Sequence, residues 1–248
     1  PHRRSDSTAL VGPEHTSGGR RATTAAAGRG KGPARPPVAA REFDSACARC
    51  PRLAGFLAEV RRDHPGYHAA PVPSFGPSAA GLLVVGLAPG MHGANRTGRP
   101  FTGDHAGILL YRTLYDCGFA DRRESVSADD GLRLTGCRIT NAVRCLPPAN
   151  KPLPAEVAEC NGYLAGELAR PGGRVILALG AVAHAAVLRA LGLRACAMRF
   201  AHGAEHALPG GRVLLDSYHC SRYNTQTRRL TDEMFARIVR RARELLDR

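Results

Sequence analysis

Lysine is almost absent from this chain of 248 residues. Only Lys31 and Lys151 occur, so 33 of the 35 basic side chains are arginines. Chemistry that runs through an amine nucleophile and a Schiff base is left with two candidates. One lies near the N-terminus and the other in the proline-rich run "LPPANKPLP", and neither is placed like a reactive lysine. Long apolar runs are missing too: no stretch approaches the roughly 18 to 20 consecutive apolar residues of a membrane span. The N-terminal residues also lack the charged, apolar, small-residue order of a secretory signal. A soluble, cytoplasmic protein with no membrane partner is expected.

Acids are scarce as well, 21 against 35 basic residues, which leaves a net charge of +14. A surplus of guanidinium groups suits phosphate contacts, since each planar fork can bond two oxygens. A polyanionic partner follows as the first expectation. Eight cysteines in a chain expected in the cytoplasm are free thiols or metal ligands rather than structural disulfides.

Residues 1–40 have no sustained apolar period and are dense in Gly, Pro, Ser, Thr and Arg. They read as a disordered basic tail, inert or a weak tether to nucleic acid. From residue 41 onward strand and helix signals alternate. "GLLVVGLA", "CRITNAVRC", "RVILALG" and "GRVLLDSYH" read as strands. "PRLAGFLAEVRRD", "GDHAGILLYRTLYDCGF", "PAEVAECNGYLAGELARPGG", "AVAHAAVLRALGL" and "TDEMFARIVRRARELLDR" read as helices. The alternation predicts a single α/β domain over residues 41–248 with a mostly parallel sheet. Ligands bind such sheets at the carboxyl ends of the strands. The loops "GLAPGMHGANR", "NAVRC" and "SYHCSRYNT" should therefore converge on one face.

The stretch "GLAPGMHGANRTGRPFTGDHAG", residues 86–107, leaves an apolar strand rich in glycine and carries one acid, Asp104. It has neither a Walker motif nor a Gly-x-Gly-x-x-Gly fingerprint, which argues against a nucleotide cofactor. It offers close backbone approach to a flat ligand. Asp104 stands where a helix N-cap is favoured, so capping and chemistry compete as its role. His219, at the end of the last strand, precedes hydroxyls, amides and arginines suited to a nucleic-acid backbone. Cys47 and Cys50 form a CxxC, and Cys145 and Cys160 lie 15 positions apart. Four cysteines so arranged favour a tetrathiolate site for zinc or an iron–sulfur cluster. Cys117, Cys137, Cys196 and Cys220 show no comparable spacing and read as packing residues.

Taken together, "GLAPGMHGANRTGRPFTGD", "NAVRCLPPANKPLPAEVAEC", "YHCSRYNTQTRRLT" and the early CxxC resemble the uracil-DNA glycosylase superfamily, and within it family 5. The resemblance covers residues 43 to about 232. It implies a three-layer α/β/α fold around a four-stranded parallel sheet. It also implies a [4Fe–4S] cluster on Cys47, Cys50, Cys145 and Cys160, with zinc as the lesser candidate. The activity implied is hydrolysis of the N-glycosidic bond of uracil, and of other deaminated bases such as hypoxanthine, in single- or double-stranded DNA. The product is an abasic site, and the protein is expected to act as a monomer.

Such chemistry needs the base out of the stack. It also needs donors around the departing base, and an anion or positioned water near the sugar. By the resemblance, His219 hydrogen-bonds the uracil carbonyl, Asn141 reads the base edge and Phe101 stacks on the flipped base. Gly86 and Ala88 bring backbone to the base. Ala88 stands where better-known uracil glycosylases carry Asp or Asn, so Asp104 becomes the substitute acid. His92 and Asn95 are expected to line the pocket. Arg222, Tyr223 and Asn224 are expected at the DNA groove. The near absence of lysine favours a water-dependent, monofunctional enzyme. The competing readings are a non-catalytic, iron–sulfur-stabilised binder of damaged or single-stranded DNA, a covalent uracil-DNA binder, and a zinc enzyme.

Overall fold

Four apolar segments form parallel strands, each five residues long: β1 (Leu82–Gly86), β2 (Cys137–Asn141), β3 (Val175–Leu179) and β5 (Val213–Ser217). The computed structural model describes residues 36–194, 196 and 198–248, so all but the last five residues of the expected tail lie outside the described residues. β1 and β3 are buried along their whole length. Near-continuous apolar runs are what a parallel sheet covered on both faces requires.

With β4 (Glu205–Ala207) at one edge, the strand order is β2-β1-β3-β5-β4. The expected four-stranded parallel sheet is present, with β4 added antiparallel on the edge of β5. At three residues, β4 is too short to announce itself by alternation. Side chains alternate across each strand, and the two faces bury different helices. Leu82, Val84, Ile139, Leu177 and Leu215 meet α3 (His105–Asp116) and α7 (Asp232–Leu246). Leu83, Val85, Ile176 and Ala178 meet α4 (Pro154–Ala169) and α5 (Ala181–Ala190). A third apolar group joins α1 (Pro51–Asp63), through Leu53, Leu57 and Val60, to Val143, Leu146 and Tyr163.

Local signals set the helix ends. The Asp104 carboxylate accepts from Gly107 N at 2.8 Å to cap α3, and the Thr231 hydroxyl accepts from Met234 N at 3.2 Å to cap α7. Two short helices, α2 (Ala94–Thr97) and α6 (Arg222–Gln226), stand in stretches that read as loops. Among the described residues no helix is long and apolar enough to cross a membrane.

Chain order reverses between β1 and β3, because β2 pairs on one side of β1 and β3 on the other. That is the switch point at which an open parallel sheet forms its binding crevice. The chain leaves β1 at Gly86, β2 at Asn141 and β5 just before His219. The three loops expected to converge therefore depart from the same end of the sheet.

Candidate active site and thiol cluster

The β1–β2 register pairs Gly86 with Asn141. The Asn141 side chain leans over this glycine, because a Cβ on Gly86 would lie 2.3 Å from Asn141 Oδ1 and 2.5 Å from Phe101 Cζ. Only a hydrogen fits between the strand and these two groups. Asn141 Oδ1 is buried and accepts no hydrogen bond from the protein. An unpaired buried acceptor costs about 1–3 kcal/mol. A ligand with an N–H would remove that cost.

Phe101 has φ 54°, the left-handed region that a non-glycine residue enters only when its surroundings hold it there. The clamp is visible on both sides. Tyr111 Oη donates to Pro100 O at 2.7 Å. The buried Arg99 guanidinium bonds Asp130 at 2.7 Å and Ser125 Oγ at 3.0 Å, and stacks 4.4 Å over the Phe75 ring. The Phe101 and His219 rings then lie 5.9 Å apart, tilted by 31°.

His219 is held through its main chain, where Asn224 Nδ2 donates to His219 O at 2.8 Å. Loss of solvation around the ring pushes its pKa down to about 4, so the imidazole is neutral near pH 7. Asp104 moves the other way. Burial raises its pKa, opposed by the backbone N–H groups of Gly107 and Ala106. Its Oδ2 faces the glycine loop, since a Cβ on Gly93 would meet that oxygen at 2.4 Å and one on Gly90 at 3.7 Å. A carboxylate three residues after Phe101 and a neutral imidazole 5.9 Å from its ring are thus each tuned by desolvation.

Most of the expected site residues are brought together here, with three refinements. Ala88 packs with Met91 toward the apolar group around α1. Asn95 is fully buried, and neither end of its amide has a partner in the protein. Asn224 holds His219, leaving Arg222 and the exposed Tyr223 as the outward members of α6. A cleft around Asp104 is lined by Gly90, His92, His105 and Arg222, and also by Ser125 and Asn150. Ser125 lies outside the motifs, on a loop whose composition carries no ligand signal, and Asn150 lies within "NAVRCLPPANKPLPAEVAEC" without standing out there. His92 Nδ1 is 2.8 Å from Tyr67 Oη, and His105 Nε2 is 2.9 Å from Thr225 Oγ1, which links α3 to α6.

On the far side of the 141–145 segment, Cys47, Cys50, Cys145 and Cys160 line a single cavity. Cys50 is the N-cap of α1, with Pro51 following as the first helical residue. α1 and α4 are laced together beside the thiols by Arg52–Glu156 at 2.7 Å, and Arg41 reaches Glu159 at 2.9 Å. Arg144 N donates to Cys160 Sγ at 3.3 Å. Burial and the neighbouring sulfurs push the Cys145 thiol up to about 12, while burial dominates in raising Cys160 to about 11. Four thiols converging in one cavity are a donor set that a cationic centre would stabilise. These four fit a metal; Cys117, Cys137, Cys196 and Cys220 lie elsewhere.

A model of the uracil DNA glycosylase superfamily matches residues 73–243. The chain belongs to that superfamily. The Type-5 uracil-DNA glycosylase of Thermus thermophilus is 51% identical over 207 residues, 81% of this chain and 94% of that protein. The Type-5 uracil-DNA glycosylase of Pyrobaculum aerophilum is 44% identical over 200 residues, 79% and 87% of the two chains. A Type-4 uracil-DNA glycosylase of the same organism is 36% identical over 130 residues, 52% of this chain and 59% of that protein.

Proposed function

We propose that this chain is a DNA-repair glycosylase of the type-5 kind, which hydrolyses the N-glycosidic bond of uracil in DNA and acts on hypoxanthine as well. The observation that carries this reading is the neutral His219 imidazole facing Phe101, with Gly86 and the unpaired Asn141 oxygen on the adjoining strands.

The roles follow from charge. As the C1′–N bond breaks, its electron pair leaves with the base and positive charge develops on the sugar. A neutral imidazole can donate a hydrogen bond to the base carbonyl as it gains negative charge, a contribution that strengthens in the transition state. Asn141 Oδ1 accepts a ring N–H. The Asp104 carboxylate orients the water that adds to C1′, takes its proton and faces the developing cation. The base leaves as its anion and takes a proton from solvent, while Asp104 gives the proton it accepted back to solvent. No lysine is needed at any point, in keeping with a monofunctional enzyme that leaves the strand intact.

Cys47, Cys50, Cys145 and Cys160 would hold a [4Fe–4S] cluster, with zinc the alternative occupant. When bound, the cluster supplies a rigid cross-link between α1, the loop after β2, and α4. Asn141 lies four residues before Cys145, so such a brace would also steady the base-reading side chain. The arginine surplus suits DNA as the partner, single- or double-stranded. A monomer working in the cytoplasm is the matching expectation.

The test is base release from duplex and single-stranded oligonucleotides carrying uracil or hypoxanthine, by iron-loaded protein and His219→Ala. Wild type should release the base and leave an alkali-labile, uncut strand. His219→Ala should be slower by about 10²–10³-fold, the usual cost of removing one donor to a developing anion. Binding without release by the iron-loaded wild type would replace the enzyme with a non-catalytic DNA binder.

A further inference from the structure

A second cluster of ligating side chains lies away from both the base pocket and the four thiols. His184 comes from α5, His206 from the edge strand β4, and Asp216 from β5. Their donor atoms all lie within 4.8 Å of one another. His184 Nδ1 is 2.8 Å from Asp216 Oδ1, and His206 Nε2 is 3.0 Å from Asp216 Oδ2. Asp216 is wholly buried, His184 is nearly so, and His206 keeps 13% of its side chain exposed.

The other nitrogen of His184 decides what this cluster is. Nε2 lies 2.9 Å from the carbonyl oxygen of Met198, which can only accept, so Nε2 carries the hydrogen. In a neutral imidazole Nδ1 then bears a lone pair, aimed at a buried carboxylate oxygen. A positive centre must lie between them, either a proton or a metal ion. A proton satisfies that pair alone. A metal ion takes His184 Nδ1, the Asp216 carboxylate and His206 Nε2 together. The two imidazole rings are 5.3 Å apart at 67°, so they converge rather than stack. A ring whose remote N–H is fixed by a backbone carbonyl is the usual second-shell arrangement of a ligating histidine.

We propose that His184, His206 and Asp216 form a binding site for a divalent first-row transition-metal ion of the zinc type. Two imidazoles and one carboxylate suit such an ion and not magnesium or calcium, which prefer oxygen donors throughout. The partly exposed His206 marks the side from which the ion would enter. The ion would tie the short edge strand β4 to β5 and α5, three elements that otherwise meet through three-residue pairing and side-chain packing.

The experiment uses the full, iron-loaded chain, treated with a chelator and then with Zn²⁺ alone, followed by gel filtration, metal analysis and X-ray absorption at the zinc edge. The expected result is one retained zinc with nitrogen and oxygen ligands at about 2.0–2.1 Å and no sulfur shell at about 2.3 Å. His206→Ala and the gentler His206→Gln should bind zinc at least about 100-fold more weakly by chelator competition, exceeding the loss typical of a second-shell change. Their iron and sulfide content should match wild type. Failure of wild type to retain zinc would mean a proton-bridged His184–Asp216 pair and overturn the proposal. So would a sulfur-coordinated zinc that persists in His206→Gln, because that ion would belong to the cysteines. The wild-type spectrum decides the matter even if a variant folds poorly.

Discussion

Asp104 divides its two oxygens between two tasks: Oδ1 accepts the Gly107 N–H at 2.8 Å, while Oδ2 faces Gly93, where even a methyl group would come within 2.4 Å. The capping and catalytic roles therefore do not compete for one atom, and two substitutions separate them. Asp104→Asn keeps an oxygen for the cap and loses the charge. It should lower the rate of uracil release by about 10²–10⁴-fold with little change in melting temperature. Asp104→Ala should lose as much rate and also about 1 kcal/mol of stability through the missing cap. Single-turnover base release paired with thermal melts distinguishes the variants. If Asp104→Asn keeps wild-type rates, the acid is a cap only.

Gly86 makes a purely steric prediction. An alanine Cβ there would overlap Asn141 Oδ1 and Phe101 Cζ, at 2.3 and 2.5 Å. Phe101 has little freedom to retreat, since the loop carrying it is clamped by Arg99 and Tyr111. Gly86→Ala should cost about 1–3 kcal/mol by overpacking. A displacement of about 1 Å in the pocket should slow base release by about 100-fold. Retained DNA binding in a gel-shift assay would show that the defect lies at the base.

The pH dependence separates the two groups placed at the site. His219, at about 4, stays neutral from pH 5 to pH 8 and so contributes no change of rate in that range. The acidic fall in rate belongs to Asp104, whose pKa is raised above 3.8, and it should vanish in Asp104→Asn. Stability follows a separate course. Between the ordinary 6.5 and the folded value of about 4, the unfolded chain binds the His219 proton and the folded one does not. His219 thus adds nothing unfavourable above pH 6.5 and progressively destabilises the fold as pH falls toward 4. Denaturant titrations of wild type and His219→Gln across that window should diverge toward acid, with the variant less sensitive.

The thiol cluster predicts a coupled loss of metal and of structure. Cys145→Ala should reduce bound iron and sulfide to background and free α1 from the loop after β2. A loss of about 2 kcal/mol in a domain of this size lowers the melting temperature by about 4–8 °C. Limited proteolysis should then cut within residues 51–63, while Cys117→Ala should leave metal content, cleavage pattern and melting temperature as in wild type. Full iron content in Cys145→Ala would remove Cys145 from the ligand set.

Much of this molecule is legible along the chain because the relevant physics is local. Short apolar and β-branched runs bounded by turn residues favour covered strands, and 3.6-residue periodicity with flanking caps marks the five long helices. The glycine loop, the four spaced cysteines, Asp104 and His219 are recognisable as residue types in a pattern. Other features arise only when distant segments meet. Where the second oxygen of Asp104 points depends on Gly93, eleven residues away, which leaves it room to face the glycine loop. Phe101 is held at a positive φ by Asp130 and Tyr111, which no pattern around residue 101 announces. Asn224 shares its segment with Arg222 and Tyr223, yet it bonds inward to His219, because α6 turns its side chain that way. β4 and the His184–His206–Asp216 cluster have no local signature at all. Sequence carries the preferences of neighbouring residues, whereas the distances between donors, acceptors and rings are set by which strands pair and in what register.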